Sequence, residues 1–482
     1  MVKETQNTSP KKTQPKKRFS WVTLLVTVIL AAVIGGGSVY VVMNHRLQAV
    51  ERTNQSLGKI NTVFNTLNQY YYKGISKTKL EDGALNGMVN VLNDQFSEYM
   101  SKDETQSLND TISASFTGIG AEVRKDGQQI QIVAPIAGTP AEKGGLKAKD
   151  IILKIDGKSL EGYSLNKAVS LIRGKKGTTV KLSIKRGNTT FEKSFKRAKI
   201  PVKTVAGRLD AKDKHIGYLQ VTTFSESTAK EMKQTIQSLR KKGATSFVID
   251  MRNNPGGLMD QALKMSSMFL KDGKTIMQVQ QKNGRPEVYK AGKKYDDGFK
   301  VHEKTVVLIN GGSASAAEIF SAALHQSAGI KLIGTKSFGK GTVQNAMPFN
   351  DKTELKLTIA KWLTPDGTWI HEKGLQPTIK ADYPAIAYQA MIDTKKAYHE
   401  NEVAKPVASL QKFLQALGYQ PGRTDGYFSS QTKTALQKFQ TDQHLPASGV
   451  ADAQTINSLQ TAVGNYLEHS DRAYQAAIKA VR

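Results

Sequence analysis

The chain opens with a basic segment that is followed by an uninterrupted apolar one. Residues 21–43 carry no charged side chain. A helix of this length crosses a hydrocarbon core about 30 Å thick, whereas the apolar core of a signal peptide is usually only ~7 to 15 residues. The pattern predicts a cytoplasmic tail over 1–20 and an uncleaved transmembrane anchor over 21–43, with everything after Met43 outside the cell. The tail's basic residues are Lys3, Lys11, Lys12, Lys16, Lys17 and Arg18.

Residues 46–104 show apolar side chains at spacings of three and four, which is the period of amphipathic helices. The apolar positions are Leu57, Ile60, Val63, Phe64, Leu67, Tyr71, Leu85, Met88, Val89 and Leu92. We expect a helical arm that packs against a partner. Since most oligomers are symmetric homo-oligomers, a homodimer is the expected assembly.

Two further patterns follow along the chain. Residues 113–197 contain short β-like runs punctuated by glycine, with a helix over 165–172, and predict a small strand-rich module. Residues 198–395 alternate strands and helices, which is typical of an α/β core. In such cores ligand chemistry lies just past the carboxyl ends of the strands. The predicted strands are 246–251 and 305–310, and the predicted helices are 227–242, 258–270 and 314–325.

Two of these strand ends are unusual. One is followed by Arg-Asn-Asn-Pro-Gly-Gly at 252–257, the other by Gly-Gly-Ser-Ala-Ser-Ala-Ala-Glu at 311–318. A serine at a glycine-rich turn into a helix is exposed beside N–H groups that lack intrahelical partners, and such groups can hold an oxyanion. Ser315 is therefore a candidate nucleophile, with Ala316 and either Gly256 or Gly257 as backbone donors. A helix cap at Ser313 explains this segment equally well.

A second turn decides between these alternatives. Lys340 is flanked by two glycines, and Gln344 follows four positions later. A neutral lysine amine can take a serine proton, provided that burial lowers its pKa by several units. Gln344 could hold the amine without adding a negative charge. The pattern favours a Ser/Lys catalytic pair.

Composition removes several other classes of protein. The absence of cysteine excludes disulfide scaffolds, thiol catalysis and cysteine-bound zinc. The pairs His371-Glu372 and His399-Glu400 lack the second histidine of a zinc peptidase motif, and neither Lys-Thr-Gly nor Gly-x-Ser-x-Gly occurs. We therefore expect no metal and no cofactor.

The net charge of +28 is distributed rather than concentrated, because +21 of it lies in residues 105–400. A nucleic-acid-binding arm would concentrate the charge in one block with interleaved aromatic residues. The distribution argues against a nucleic-acid partner. It is compatible with anionic lipid headgroups and wall polyanions.

The strand-rich module at residues 113–197 begins with a glycine-containing segment of a known type. Phe116-Thr117-Gly118-Ile119-Gly120, then Thr139 to Leu146 and Gly157, resembles a PDZ domain. In such a loop, glycines let backbone N–H groups converge on a peptide carboxylate, and the next strand offers an edge for β-addition. The resemblance implies that Thr117, Gly118, Ile119 and Gly120 bind the peptide.

Four segments together resemble the carboxyl-terminal processing peptidases, which are PDZ-containing serine peptidases: RNNPGG, GGSASAAEIF, KSFGKGTVQ and LTPDGTWIHEKGLQP. The resemblance implies a crotonase-like peptidase core in which Ser315 is the nucleophile, Lys340 the base and Gln344 the orienting residue. It also implies that the PDZ-like module binds apolar C-terminal tails of protein substrates. Arg173 would sense peptide occupancy, or it is simply a solvated turn. Ala317 and Thr378 stand where the family often has Ser and Asp.

Residues 404–464 resemble a three-helix peptidoglycan-binding domain, with His444 where a glycine is usual. The sequence thus predicts a multidomain α/β and α+β protein at the cell membrane. Its working part would face the wall, with peptidoglycan and the membrane as partners. The alternative is a catalytically silent scaffold that uses the PDZ-like and wall-binding modules only.

Overall fold

The computed structural model describes residues 57–482. The predicted cytoplasmic tail and membrane anchor lie outside this range. Within it, no helix combines the length and the apolar character needed to traverse a bilayer. The chain divides into two units, one ending at Asn93 and one running from Asp94 to Arg482.

In the first unit, α1 covers residues 57–70 and α2 covers Lys77–Asn90. Both helices follow the predicted helical period. Their apolar side chains are nevertheless exposed, as Leu57, Val63 and Met88 illustrate. The homodimer expected from this surface stays a prediction.

The second unit corrects one element of the predicted helical arm. Residues 98–100, expected to be helical, form strand β1 (Glu98–Met100), and helix α3 follows over Lys102–Ile112. β1 pairs antiparallel with the long strand Glu354–Leu363. Pairing with a distant strand overrides the local pattern here, as tertiary context commonly does for short segments.

The PDZ-like module is a six-stranded antiparallel sheet with helix α5 (Leu165–Ile172) at the bounds predicted. Strand β3 forms one edge of this sheet, and β2 pairs instead with β9. The remaining elements are β2 (Ser115–Gly118), β3 (Ala121–Asp126), β4 (Gln129–Pro135), α4 (Pro140–Lys143), β5 (Ile151–Ile155), β6 (Lys158–Ser159), β7 (Thr179–Arg186), β8 (Thr189–Lys196) and β9 (Ala198–Pro201).

The next region is the predicted α/β core. Its elements are β10 (Val205–Leu209), β11 (Ile216–Val221), α6 (Thr228–Lys241), β12 (Ser246–Asp250), α7 (Met259–Phe269), β13 (Thr275–Gln281), β14 (Glu287–Lys290), α8 (Lys293–Asp296), β15 (Lys304–Ile309), α9 (Ala316–Ala328), β16 (Lys331–Gly334), β17 (Thr342–Pro348), β18 (Glu354–Leu363) and β19 (Ile379–Lys380).

Two sheets organise this core. The first has the order β10-β11-β12-β15-β16-β19, parallel except for β10. Because β12 and β15 are neighbours, the two unusual turns that follow them meet at one edge. The second sheet has the order β1-β18-β13-β14, with β17 also paired to β18. Helices α6, α7 and α9 bury an apolar cluster against the first sheet.

Two residues of this core, Ala317 and Thr378, depart from the family pattern, and both contribute to packing or to the sheet. Ala317 is fully buried in the cluster under α9. The Thr378 hydroxyl accepts a hydrogen bond from Leu332 N at 2.9 Å and donates one to Leu332 O at 2.7 Å. Thr378 therefore holds strand β16 in place.

The C-terminal module has the three helices predicted: α10 (Lys405–Ala416), α11 (Ser430–Asp442) and α12 (Ala453–His469). They enclose their own core, which includes Leu410, Phe413 and Phe428. His444 has φ 56°, a left-handed conformation that favours glycine, which explains why glycine is usual there. A last helix, α13 (Arg472–Val481), lies against the first sheet on the face opposite α6, α7 and α9.

Candidate active site

Ser315 occupies the junction between the turn after β15 and helix α9. Its backbone has φ 54° and ψ −116°, an unfavourable region for a residue with a side chain, and such strain concentrates at functional sites. Ser313 does not cap the helix as the alternative supposed. Its buried hydroxyl donates to Met251 O at 2.8 Å and accepts from Asn310 N at 3.0 Å.

The turn after β12 packs directly on the turn that holds Ser315. A methyl group added at Gly256 would lie 2.8 Å from Ser315 Cβ and 3.0 Å from Ala316 N, so only glycine fits. The Gly256 N–H itself donates to Asn254 Oδ1 at 2.9 Å. Within residues 57–482, the N–H groups of Ala316 and Gly257 have no hydrogen-bond partner. These two donors are therefore free to bind an oxyanion.

Lys340 lies on the turn between β16 and β17, and its backbone is fixed on both sides. Its carbonyl accepts a hydrogen bond from Trp362 Nε1 at 2.8 Å. The next residue, Gly341, donates its N–H to His371 Nδ1 at 3.3 Å and accepts from Trp369 Nε1 at 2.8 Å. The geometry of this turn is thus set by aromatic side chains from β18 and the segment after it.

Glu318 joins the two turns and was not among the residues predicted from the sequence. Its side chain is fully buried and accepts four hydrogen bonds. The donors are Ser315 N at 2.9 Å, Ser337 Oγ at 2.5 Å, Gly339 N at 2.7 Å and Lys340 N at 2.8 Å. Burial raises the pKa of this carboxyl, and the hydrogen bonds only partly oppose that rise. A glutamate three positions after the serine was the available signal.

The Lys340 amine lies over an aromatic ring. Its Nζ is 4.6 Å from the centroid of Phe96. Burial lowers the pKa of Lys340, and the positive charge of Lys356 lowers it further. Three carboxylates oppose this shift, those of Asp94, Glu98 and Glu318. No hydrogen bond joins Ser315 Oγ to Lys340 Nζ in the described part of the chain.

The segment that carries Phe96 is fastened to the second sheet. Ser97 Oγ donates to Asp94 Oδ2 at 2.6 Å and accepts from Thr358 N at 3.0 Å. Glu98 and Lys356 form an ion pair across β1 and β18. Sequence reasoning missed Phe96 because only the fold brings it to Lys340.

Gln344 lies at a register shift between β17 and β18. Its Nε2 donates to Thr342 Oγ1 at 2.9 Å and to Thr358 Oγ1 at 3.1 Å. The side-chain amide is therefore fixed by two threonines. Thr358 thus contacts both Gln344 and the segment that carries Phe96.

The predicted peptide-binding loop joins β2 to β3. Thr117 and Gly118 pair with Lys199 and Ala198 of β9. The Ile119 carbonyl accepts from Ala141 N at 2.8 Å, which turns this carbonyl toward α4. β3 then runs along the edge of the sheet, with one side unpaired within the described residues.

Gly120 and Arg173 lie on either side of this loop. Gly120 has φ 80°, and a methyl group there would meet Thr139 Cβ at 2.4 Å. Arg173, just after α5, pairs with Asp110 of α3 at 3.5 Å, and its guanidinium carbon is 4.8 Å from the Phe116 ring centroid. Arg173 is thus more than a solvated turn residue, since it links the module to α3.

Comparison with family models matches each part of the chain to a known domain. The model "Peptidase family S41" matches residues 215–381, and "PDZ domain" matches 106–185. "Putative peptidoglycan binding domain" matches 404–459, and "Activating protease CtpB N-terminal domain" matches 33–105. These matches define a serine peptidase with a PDZ domain and a peptidoglycan-binding-type domain.

Whole-chain relatives specify the family. The carboxy-terminal processing protease CtpA of Bacillus subtilis is 42% identical over 95% of this chain and 97% of its own length. The "Probable CtpA-like serine protease" of Staphylococcus haemolyticus is 38% identical over 91% of this chain and 88% of its own. The photosystem II D1 C-terminal processing protease superposes with a TM-score of 0.39 at 27% identity, over 63% of this chain and 82% of that one. This chain belongs to the carboxy-terminal processing proteases of peptidase family S41, and it is a serine-type peptidase.

Proposed function

We propose that this protein is a membrane-anchored, extracytoplasmic endopeptidase that cleaves proteins with apolar C-terminal tails by a Ser315/Lys340 mechanism. The observation that carries the proposal is the shared carboxylate oxygen of Glu318. The N–H groups of Ser315 and Lys340 both donate to Glu318 Oε2. Two turns distant in sequence are thereby held within two hydrogen-bond lengths of each other.

In the first step, Ser315 Oγ attacks the scissile carbonyl carbon while the neutral Lys340 amine takes the hydroxyl proton. The carbonyl oxygen becomes an oxyanion, and the N–H groups of Ala316 and Gly257 donate to it. These donors are free in the described structure, whereas the Gly256 N–H is engaged by Asn254. Gly256 serves the reaction by letting the two turns approach closely.

In the second step, the Lys340 ammonium gives its proton to the departing amine, and the C–N bond breaks to leave an acyl-serine. Water then attacks the acyl carbon with Lys340 again acting as the base, which releases the new carboxylate and restores the serine. The mechanism requires a neutral amine in the resting enzyme. Burial and Lys356 both lower the pKa of Lys340 in that direction. Gln344, fixed by its two threonines, offers its amide oxygen as a neutral acceptor for the amine.

Substrate selection is assigned to the PDZ module. A substrate tail would add as a strand to the free edge of β3, and its terminal carboxylate would meet the backbone of Thr117, Gly118, Ile119 and Gly120. Partly buried apolar residues lie on β3 and α5, among them Val123 and Leu165, which pack against the core of the module. This apolar surface favours apolar tail side chains.

Arg173 is proposed to report an occupied PDZ module to the active site. Its partner Asp110 lies on α3, whose last carbonyls, at Thr111 and Ile112, accept from Ser225 Oγ at 2.6 Å and Glu226 N at 2.9 Å. The adjacent Phe224 exchanges backbone hydrogen bonds with Gly256 and Leu258. Each contact in this series is direct, so a shift of Arg173 has a physical route to the turn at residues 252–257, which carries Gly256 and Gly257 and is called the oxyanion turn below.

The placement of the enzyme follows from the modules at its two ends. The apolar segment 21–43 would hold it in the membrane, and the three-helix module would bind peptidoglycan outside. The excess positive charge of residues 105–400 suits an environment rich in anionic lipid and wall polymers. We expect no cofactor and no nucleic-acid partner.

One experiment tests the catalytic assignment. The full chain and its Ser315→Ala variant are incubated with a protein substrate ending in an apolar tail, and each is treated with a fluorophosphonate probe. We expect cleavage and covalent labelling of the parent only. Ser313→Ala is the matched control, since it removes a neighbouring hydroxyl that lies outside the proposed chemistry and should leave labelling intact. Unchanged cleavage by Ser315→Ala would refute the assignment, and a parent that neither cleaves nor labels would favour the silent scaffold.

A further inference from the structure

Helix α13 completes the peptidase core although it follows the C-terminal module in the chain. Three small or β-branched residues at spacings of four, Ala473, Ala477 and Val481, are buried against the first sheet. They pack on apolar side chains from four parallel strands: Ile216, Val248, Val306, Leu308 and Ile333. The C-terminal module is therefore inserted between the last strand of the core and a helix that belongs to the core.

Polar contacts fix α13 at both ends. Near its start, Tyr474 Oη donates to Asp210 Oδ2 at 2.8 Å, and its ring meets Tyr218 edge-on at 5.4 Å between centroids. Near its end, Lys304 Nζ donates to Arg482 O at 2.7 Å. The helix is thus attached along its whole length.

The first contact of α13 reaches the oxyanion turn. Asp471, the N-cap of the helix, lies 2.8 Å from Arg252 Nη1 in an ion pair, with side chains only 14% and 9% exposed. Arg252 begins the 252–257 turn that carries Gly256 and Gly257. Its other side-chain contacts are with Asp250, at 2.6 Å between Nη2 and Oδ2, and with Tyr383 Oη at 2.9 Å.

Both chain connections to the C-terminal module therefore meet at Arg252. Tyr383 lies in the segment that leads into the module, Asp471 lies in the segment that leaves it, and Tyr383 Oη donates to Asp471 Oδ2 at 3.3 Å. A buried arginine held by two carboxylates has little freedom, because loss of either leaves its charge poorly compensated. The segment that enters the inserted module and the segment that leaves it therefore both hold Arg252, the first residue of the 252–257 turn.

We propose that Asp471 is a positioning residue for catalysis, acting through Arg252 on the turn that supplies the oxyanion donor. The inference rests on the proposed function for its catalytic consequence. Asp471 touches no reacting atom, so its effect is on the rate of the chemical step and not on tail binding. A displacement of the turn of about 1 Å would cost up to ~10²-fold in rate.

The test compares Asp471→Asn with Tyr474→Phe in the full chain. Asparagine keeps the helix cap but removes the charge that faces Arg252. Tyr474→Phe removes an equally placed anchor of α13 that does not touch Arg252. We expect kcat for a tail-bearing peptide to fall at least about 10-fold in Asp471→Asn, with KM unchanged, and to stay near the parent value in Tyr474→Phe. Both variants should lower Tm.

Amide hydrogen exchange supplies a readout that needs no turnover. Residues 252–257 should exchange faster in Asp471→Asn than in the parent or in Tyr474→Phe. An unchanged kcat and unchanged exchange in Asp471→Asn would overturn the proposal, and so would equal losses of kcat in both variants, which would reduce Asp471 to an anchor of the helix. If the parent does not cleave at all, the proposed function fails while the exchange comparison still decides the role of Asp471.

Discussion

Ser315 and Lys340 donate their backbone N–H groups to one and the same oxygen, Oε2 of Glu318, at 2.9 and 2.8 Å. The relationship links the proposed nucleophile and the proposed base through their main chains. The second oxygen of Glu318 accepts from Ser337 and Gly339. One residue of α9 therefore holds the whole turn that carries Lys340. Glu318 accordingly has the largest predicted effect among the residues outside the proposed catalytic pair.

Replacing Glu318 by Gln should lower kcat by about 10²-fold, because one amide oxygen cannot accept from all four donors and the amide nitrogen would face an N–H or O–H donor. KM for the substrate tail should not change. Steady-state kinetics with a tail-bearing peptide measures both constants.

Glu231→Gln is the matched control for that substitution. Glu231 also accepts four hydrogen bonds near a helix start, from Thr204, Val205 and Ser227, and none of these donors belongs to the turns that carry Ser315 and Lys340. It should lose stability without losing kcat. A Glu318→Gln enzyme with the parent's kcat would show that the shared oxygen is dispensable.

The acid limb of the pH profile of activity should report the titration of the Lys340 amine. Its pKa is lowered by burial and then by Lys356, so activity should rise with pH through a pKa below that of a free lysine. Lys356→Gln removes the repelling charge and also frees Glu98, which favours the ammonium. The limb should therefore move to higher pH, and activity at neutral pH should fall.

Lys361→Gln, on the same strand, controls for a general loss of positive charge. Lys361 lies over the ring of Trp369, whereas the positive charge that lowers the pKa of Lys340 is that of Lys356. Its profile should match the parent's. A Lys356→Gln profile that coincides with that of the parent, measured as kcat/KM between mildly acidic and alkaline pH, would argue against Lys340 as the base.

Phe96→Leu should move the same limb in the opposite direction. Leucine keeps the apolar cover over the amine but removes the ring face that attracts a cation, an attraction of about 0.5 to 1 kcal/mol. The pKa of Lys340 should then fall further, and the acid limb should move to lower pH. The readout is the midpoint of the acid limb, and a shift to higher pH would mean that the ring acts mainly by excluding water.

Gly120→Ala should weaken tail recognition. Alanine is strained at φ 80°, and its methyl group would clash with Thr139, which would distort the loop proposed to bind the tail carboxylate. We expect KM for an apolar-tailed substrate to rise about 10-fold or more. Gly127→Ala, at a turn of the same module with φ 58° and open space around it, carries similar strain without the clash. Equal KM values for the two variants would count against this loop as the carboxylate site.

The pairing of Arg173 with Asp110 should matter for activation and little for stability, because the ion pair is partly exposed. Arg173→Met should reduce the rate advantage of a substrate with an apolar tail over the same substrate with an acidic tail. Lys176→Met, in the same basic loop, should not. In a double-mutant cycle with Asp110→Asn, strictly additive effects on that advantage would separate Arg173 from the proposed route.

Much of the fold could be predicted from the sequence because its elements have strong local signals. Helix α5 has the predicted bounds, and α6, α7, β12 and β15 agree to within two residues. Their apolar periods and glycine-rich ends leave few alternatives. β1 was predicted wrongly because three residues carry no period of their own and their conformation is decided by β18.

The candidate site divides in the same way. Ser315 and Lys340 stand in glycine-rich turns, and Gln344 follows four residues after Lys340 in β17, so residue types and spacing indicate chemistry. Glu318, Phe96 and Asp471 do not, since a glutamate in a first helical turn, a phenylalanine in a polar segment and an aspartate before a helix all have ordinary explanations. Only the fold brings Phe96 and Asp471 to this region, and only the fold shows that Glu318, close to Ser315 in sequence, also binds the turn that carries Lys340.

The pairing of β1 with β18 also bears on how the enzyme is made. Phe96, which covers the Lys340 amine, lies just before β1, and both leave the ribosome long before β18, with which β1 must pair. Non-local pairings of this kind form slowly. A nascent or partly folded chain therefore holds Ser315 before the proposed base, Lys340, is covered. The same topology that assembles the site late would keep immature copies from digesting one another, so proteolytic competence would coincide with the completion of folding.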